Sequence, residues 1–143
     1  MIDITVVTND FEIVRELADA THVNVVHTGG QLDHANLSSV GALAAATLSH
    51  VVLDVAFISA SSWDLRRGVT SPSALKVDVK RAAMNAASRT VLVSGSSKYG
   101  TVGLYKVAAL DAFDLIVTDN GLAPGAAVAI RLAGVELALA QDG

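Results

Sequence analysis

The string Gly95-Ser96-Ser97-Lys98-Tyr99-Gly100 carries the most chemistry in the chain. Glycine and serine let backbone N–H groups approach an anion, and Lys98 adds a strongly hydrated point charge beside them, so the string suits a phosphate. In isolation it is also an ordinary Gly/Ser turn with a solvated lysine. It is not a Walker loop, because the G-x-x-x-x-G-K-[ST] spacing is absent. Thr118-Asp119-Asn120-Gly121 offers Asp119 to sugar hydroxyls, although Asn-Gly after an apolar run is equally a turn signal. Gly29-Gly30 allows either close backbone approach to a ligand or a tight turn. Lys76 and Lys80 stand four apart on one helical face, where like charges oppose the helix and where water or an anion compensates them. Trp63, the only tryptophan, suits either a stacking platform for a sugar ring or a buried anchor.

Other chemistries find no support in the residue pattern. His22, His27, His34 and His50 lack metal-ligand spacing, and no cysteine completes a site. There is no G-x-S-x-G nucleophile elbow, and the acidic residues show no local pairing that nominates a general acid and base. The sequence therefore nominates no catalytic residue, no metal site and no cofactor.

These candidates are positioned by alternating elements. Apolar runs at Ile4–Val7, Val23–Val26, Val55–Ile58, Val91–Val93, Leu115–Val117 and Val135–Leu139 read as strands, mostly continuous in apolarity as in a parallel sheet buried on both faces. Helical spacing marks Phe11–Ala20, Ser38–Leu53, Ser73–Ser88 and Pro124–Ala133, with Asn9 or Asp10 as the first cap and Gly134 as the last stop. The fold class predicted is α/β, a Rossmann-like, mostly parallel sheet with helices on both faces. In such sheets ligands gather beyond the C-terminal strand ends. Five of the runs deliver Thr8-Asn9, Thr28-Gly29-Gly30, Ser59 to Asp64, Ser94 to Gly100, and Thr118-Asp119 to that edge.

Bulk properties bound the function. The 143 residues form one domain, 1–143, and 52% hydrophobic residues with mean hydropathy +0.50 place much apolar surface in buried strands or interfaces. No apolar run approaches the ~20 residues of a membrane span, and MIDITVVTND lacks the pattern of a secretory signal, so no membrane association and a cytoplasmic location are expected. Ten Lys and Arg against fourteen Asp and Glu, net charge −4, cannot supply the broad cationic face that duplex DNA requires.

The ordered strings VVTND (Val6–Asp10), FEIVRELA, THVNVVHTGGQL, SSVG, DVAFISASSWDLRRGVTSP (Asp54–Pro72), VDVKRAAMNAASRTVLVSGSSKYG (Val77–Gly100) and DLIVTDNGL resemble consecutive pieces of the C-terminal sensor domain of DeoR-family regulators. Family members are bacterial transcription regulators with an N-terminal winged helix-turn-helix. Their sensor domain is similar in fold to sugar-phosphate isomerases, and their effectors are phosphorylated sugars or polyols. The resemblance implies ligand-binding roles for Thr8, Asn9, Gly29, Gly30, Lys80, Ser97, Lys98 and Asp119, and the phosphate loop adds Ser96.

Three departures stand out. Gly95 replaces the aspartate that usually opens the loop, Lys76 stands where an acid commonly precedes the helix lysine, and the family's first strand with its Gly-Thr-Thr phosphate loop does not precede Val6. The expectation is thus an N-terminally truncated, effector-binding and oligomerising domain of a DeoR-type repressor of sugar metabolism. It would form a homo-oligomer and reach DNA only through a winged helix-turn-helix absent from these residues. The alternatives are a sugar-phosphate isomerase or deaminase relying on Asp64, and a vestigial self-association domain.

Overall fold

The computed structural model describes residues 3–141. In chain order the strands are β1 (Ile4–Thr8), β2 (Val23–His27), β3 (Gln31–Asp33), β4 (Ser38–Val40), β5 (Leu53–Ile58), β6 (Ser62–Asp64), β7 (Gly68–Ser71), β8 (Ala87–Val93), β9 (Tyr105–Ala108), β10 (Leu115–Asp119) and β11 (Leu137–Ala140). The helices are α1 (Phe11–Leu17), α2 (Gly41–Leu48), α3 (Ala74–Ala86) and α4 (Pro124–Leu132).

A four-stranded parallel sheet, ordered β11-β10-β8-β5, forms the centre of this mixed α/β, Rossmann-like fold and is flanked by helices. Its register pairs Ile58 with Leu92 and Val117 with Val93, which sends the ends of β5, β8 and β10 out along one edge. β1 and β2 make a second parallel pair, with Thr8 opposite His27. The single sheet anticipated from the sequence is therefore divided, since no ladder joins β1 to β5 among the described residues. Packing of α2 on α3 spans the division, with Ala44, Leu48 and Val79 buried together and Val7 of β1 against them.

Helix boundaries follow local chemistry. Asp10 caps α1, its Oδ1 accepting the N–H groups of Glu12 and Ile13 at 2.8 and 3.3 Å, and Pro124 opens α4 where its missing N–H costs little. Gly134, at φ +86°, ends α4 as the sequence indicates. The long second helix expected over Ser38–Leu53 is trimmed at both ends, because Ser38–Val40 pair with Gln31–Asp33 in a hairpin and Leu53 opens β5 opposite Ala87. Alanine-rich composition could not separate these segments.

An antiparallel sheet, β6-β7-β9, supplies the other unforeseen element. Trp63 and Val69 are wholly buried between it and the main core of Leu92, Ile116 and Ile130. Burial on both faces, expected of most of the apolar runs, holds for Val91 and Leu92 in β8 but not for the open edges, where Phe57 is 72% and Ile4 52% exposed. Among the described residues no helix is long and apolar enough to cross a membrane.

Gly68 pins the antiparallel sheet. Its φ is +73°, and a Cβ there would lie 2.2 Å from the Ala108 carbonyl oxygen on β9, whereas Gly100, at φ +88°, has open space around it. Chemical denaturation should show Gly68→Ala losing about 2–4 kcal/mol. Gly100→Ala should lose only about 1–2 kcal/mol, the conformational cost alone. Equal losses would mean that the β7–β9 approach is not tight.

Candidate functional site

Because β8 and β10 leave the sheet side by side, a carboxylate at the end of one can hold the loop that follows the other. Asp119 does this for Ser96. Its Oδ2 accepts the Ser96 N–H at 2.9 Å, and its Oδ1 accepts the Ser96 hydroxyl at 2.5 Å and the Gly121 N–H at 2.9 Å. The Ser96 hydroxyl first, then its amide and that of Gly121, hold the carboxyl below the usual carboxylate range. Asp119 is therefore ionised at neutral pH and committed to positioning the loop.

Other bonds fix the same loop from the β5 side. The Ser94 hydroxyl donates to the Ala60 carbonyl at 2.9 Å, the Trp63 indole N–H to the Gly95 carbonyl at 3.3 Å, and the Gly100 N–H to the Trp63 carbonyl at 2.8 Å. Trp63 is fully buried and meets Tyr99 edge-on with ring centroids 4.8 Å apart. The tryptophan is the loop's anchor, not an exposed platform. What these tethers leave outward is a 3-10 turn, Ser96–Lys98, closed by the Lys98 N–H on the Gly95 carbonyl at 3.1 Å. Ser97 and Lys98 are exposed, and among the described residues the Ser97 N–H finds no acceptor and the Lys98 ammonium no partner.

Lys80 comes to the same edge from α3, donating its ammonium to the Ser59 carbonyl just beyond β5. Burial first, and the Lys76 charge second, push its pKa down from 10.5 to about 8. Lys76 itself lies 3.6 Å from Asp33, so a carboxylate compensates that end of the like-charged pair.

The remaining candidates surround the ends of β1 and β2. Thr8 Oγ1 accepts the Asp10 N–H at 3.0 Å, and its carbonyl accepts the Thr28 N–H at 3.1 Å. Asn9 clamps β4, its Nδ2 donating to the Ser39 carbonyl at 2.9 Å and its own carbonyl accepting the Ser39 N–H at 2.8 Å. A Cβ on Gly30 would lie 3.0 Å from both Ala44 Cβ and the Val40 carbonyl, so glycine there admits α2, while Gly29 borders open space.

The structure thus joins Asp119 to the Ser96–Lys98 turn by hydrogen bonds, while Lys80 reaches Ser59 at the end of the adjacent strand β5. Thr8, Asn9, Gly29 and Gly30 form a second group on the separate strand pair, with no hydrogen bond between the groups among the described residues. Sequence reasoning missed the carbonyls of Ser59 and Ala60 and the tether from Trp63, because a main-chain acceptor leaves no residue signature. Asp64, the acid on which an enzymatic reading relied, accepts the Arg67 N–H at 2.5 Å within the β6–β7 turn.

Comparison with known proteins identifies the family. The family described as the DeoR C-terminal sensor domain matches residues 1–120. An uncharacterized HTH-type transcriptional regulator of Haemophilus influenzae is 42% identical over 137 residues, covering 96% of this chain and 53% of that protein. The HTH-type regulator YgbI of Escherichia coli is 42% identical over 142 residues, covering 99% and 55%. A putative aga operon transcriptional repressor of Escherichia coli is 29% identical over 140 residues, covering 98% and 52%. The chain spans about half the length of these curated relatives.

The lowered pKa of Lys80 has a measurable consequence. A base whose pKa is lower in the folded chain loses its proton first there, so above about pH 8 the unfolded chain binds more protons and stability rises with pH. Denaturation of the wild type should therefore show a stabilising component between about pH 8 and 10.5 that Lys80→Met lacks. Parallel pH profiles for the two proteins would show that Lys80 is not desolvated.

Proposed function

The chain belongs to the family of DeoR C-terminal sensor domains, and from that premise we propose that it binds a phosphorylated sugar or polyol as the effector-sensing part of a transcriptional repressor. The observation that carries this reading is the Ser96–Lys98 turn. It is held from behind by Asp119 and Trp63, and it presents the uncommitted Ser97 N–H and Lys98 ammonium outward. A phosphate seated there receives charge-assisted hydrogen bonds from a loop that needs no reorganisation. Lys80 supplies a second cation, since an anion near it restores the charged form that burial disfavours. Asn9, Gly29 and Gly30, with Thr8 behind them, would face the sugar from the other strand pair.

On this reading the protein acts in the cytoplasm, where phosphorylated sugars are found. DNA is reached through the winged helix-turn-helix expected in the half of the relatives that this chain does not span. Effector binding changes repression only if the ligand favours one arrangement of the assembled regulator over another. Self-association supports such coupling, and the exposed Ile4, Val55 and Phe57 on the open strand edges are the surface for it.

Two measurements test the proposal. By calorimetry Lys98→Ala should weaken a phosphorylated sugar by about 1.5–3 kcal/mol and leave the unphosphorylated sugar nearly unchanged. Equal losses for both sugars would assign Lys98 to hydroxyl recognition, and no loss would move the phosphate elsewhere. Light scattering should find the chain as a dimer or larger at tens of micromolar. A monomer at that concentration would remove self-association from the account.

A further inference from the structure

A cavity of about 520 Å³ is lined by Arg66, Arg67, Arg81, Lys106, Val107, Ala108 and Ala109, none of them a strand-end candidate. Four of the ten Lys and Arg residues of a chain with net charge −4 thus surround one concavity, and no acidic side chain lines it. None of the four forms an ion pair among the described residues. Asp64, the carboxylate closest in sequence to Arg66 and Arg67, is turned to the Arg67 backbone N–H. Like charges drawn together without a counterion repel, and a bound anion relieves that repulsion.

The cations come from three elements that the fold holds rigidly. Arg66 and Arg67 form the tip of the β6–β7 turn, whose return strand is fixed by Gly68 against β9. Lys106 lies on β9 itself. Arg81, on α3, donates Nε to the Val107 carbonyl at 3.0 Å and Nη2 to the Lys106 carbonyl at 2.8 Å, which docks the helix on β9 and orients the guanidinium. Two of the five guanidinium N–H groups are used in this way, and three remain for an acceptor. Val107 is buried and, with Ala108 and Ala109, gives the cavity an apolar side.

We propose that this cavity is a second anion site, for a small organic phosphate, separate from the strand-end site and sharing no residue with it. Arginine forks match phosphate oxygens two at a time, and the volume lies within the range of small-molecule sites. The apolar side favours an organic ligand over a bare ion. A nucleic-acid backbone fits less well, because the acidic remainder of the chain repels an extended polyanion.

Isothermal calorimetry with inorganic pyrophosphate as the probe, at fixed ionic strength, tests the assignment on the intact chain. The wild type should bind it, and Arg66→Ala/Arg67→Ala should bind roughly tenfold or more weakly with an unchanged thermal midpoint, since both side chains lie on an exposed turn. Lys106→Ala should weaken binding in the same direction. In Lys98→Ala, which removes the strand-end cation, a pyrophosphate-binding event that depends on Arg66 and Arg67 should remain. Loss of binding in Lys98→Ala alone would assign the anion to the strand-end loop and overturn the proposal. No binding by the wild type would overturn it too, as would arginine-dependent binding of duplex DNA without pyrophosphate binding.

Discussion

The ion-to-hydrogen-bond contact between Asp119 and Ser96 is the constraint from which the site follows. A carboxylate ending one parallel strand accepts the amide and hydroxyl of the residue that begins the loop after its neighbour. That geometry needs β8 and β10 adjacent and in register, which needs their side chains buried, as Leu92 and Ile116 are. The contact costs the loop its freedom and leaves Ser97 and Lys98 outside it. Trp63 completes the arrangement by tying the antiparallel sheet to Gly95, so the core that stabilises the fold is also the support of the loop.

Lys80 and Lys98 occupy opposite electrostatic situations on this edge. Lys98 is exposed on its turn, whereas Lys80 is drawn inward to the Ser59 carbonyl and its charge is disfavoured by burial and by Lys76. On the proposed reading Lys98 gives a phosphate a contact for which no protein group among the described residues competes, and Lys80 adds a charge that burial disfavours until an anion is near. The arginine-lined cavity obeys another logic, in which oriented guanidinium forks supply direction as well as charge.

Much of this was legible in the residue order. The continuous apolarity of Val91–Val93 and Leu115–Val117 marks central parallel strands, and the polar residues immediately after them are the ones that meet at Asp119. Asp10 as a cap and Gly134 as a stop are local signals that tertiary structure did not override. The antiparallel sheet was not legible, because Ser62–Asp64, Gly68–Ser71 and Tyr105–Ala108 are short and acquire strand geometry only by pairing across the chain. The cavity was hidden for the same reason: Arg66, Arg81 and Lys106 are neighbours only once β9 docks on α3. The division of the parallel strands into two sheets was also invisible, since apolar runs specify strands and not the ladders between them.

The role of the Ser96–Lys98 turn is tested most directly by the backbone amide resonances of Ser97 and Lys98 during titration with matched phosphorylated and free sugars. The phosphorylated sugar should move both resonances strongly and the free sugar leave them nearly in place, because the Ser97 N–H, without an acceptor among the described residues, becomes a phosphate donor. Unmoved resonances at saturation, or equal movement with both sugars, would contradict it.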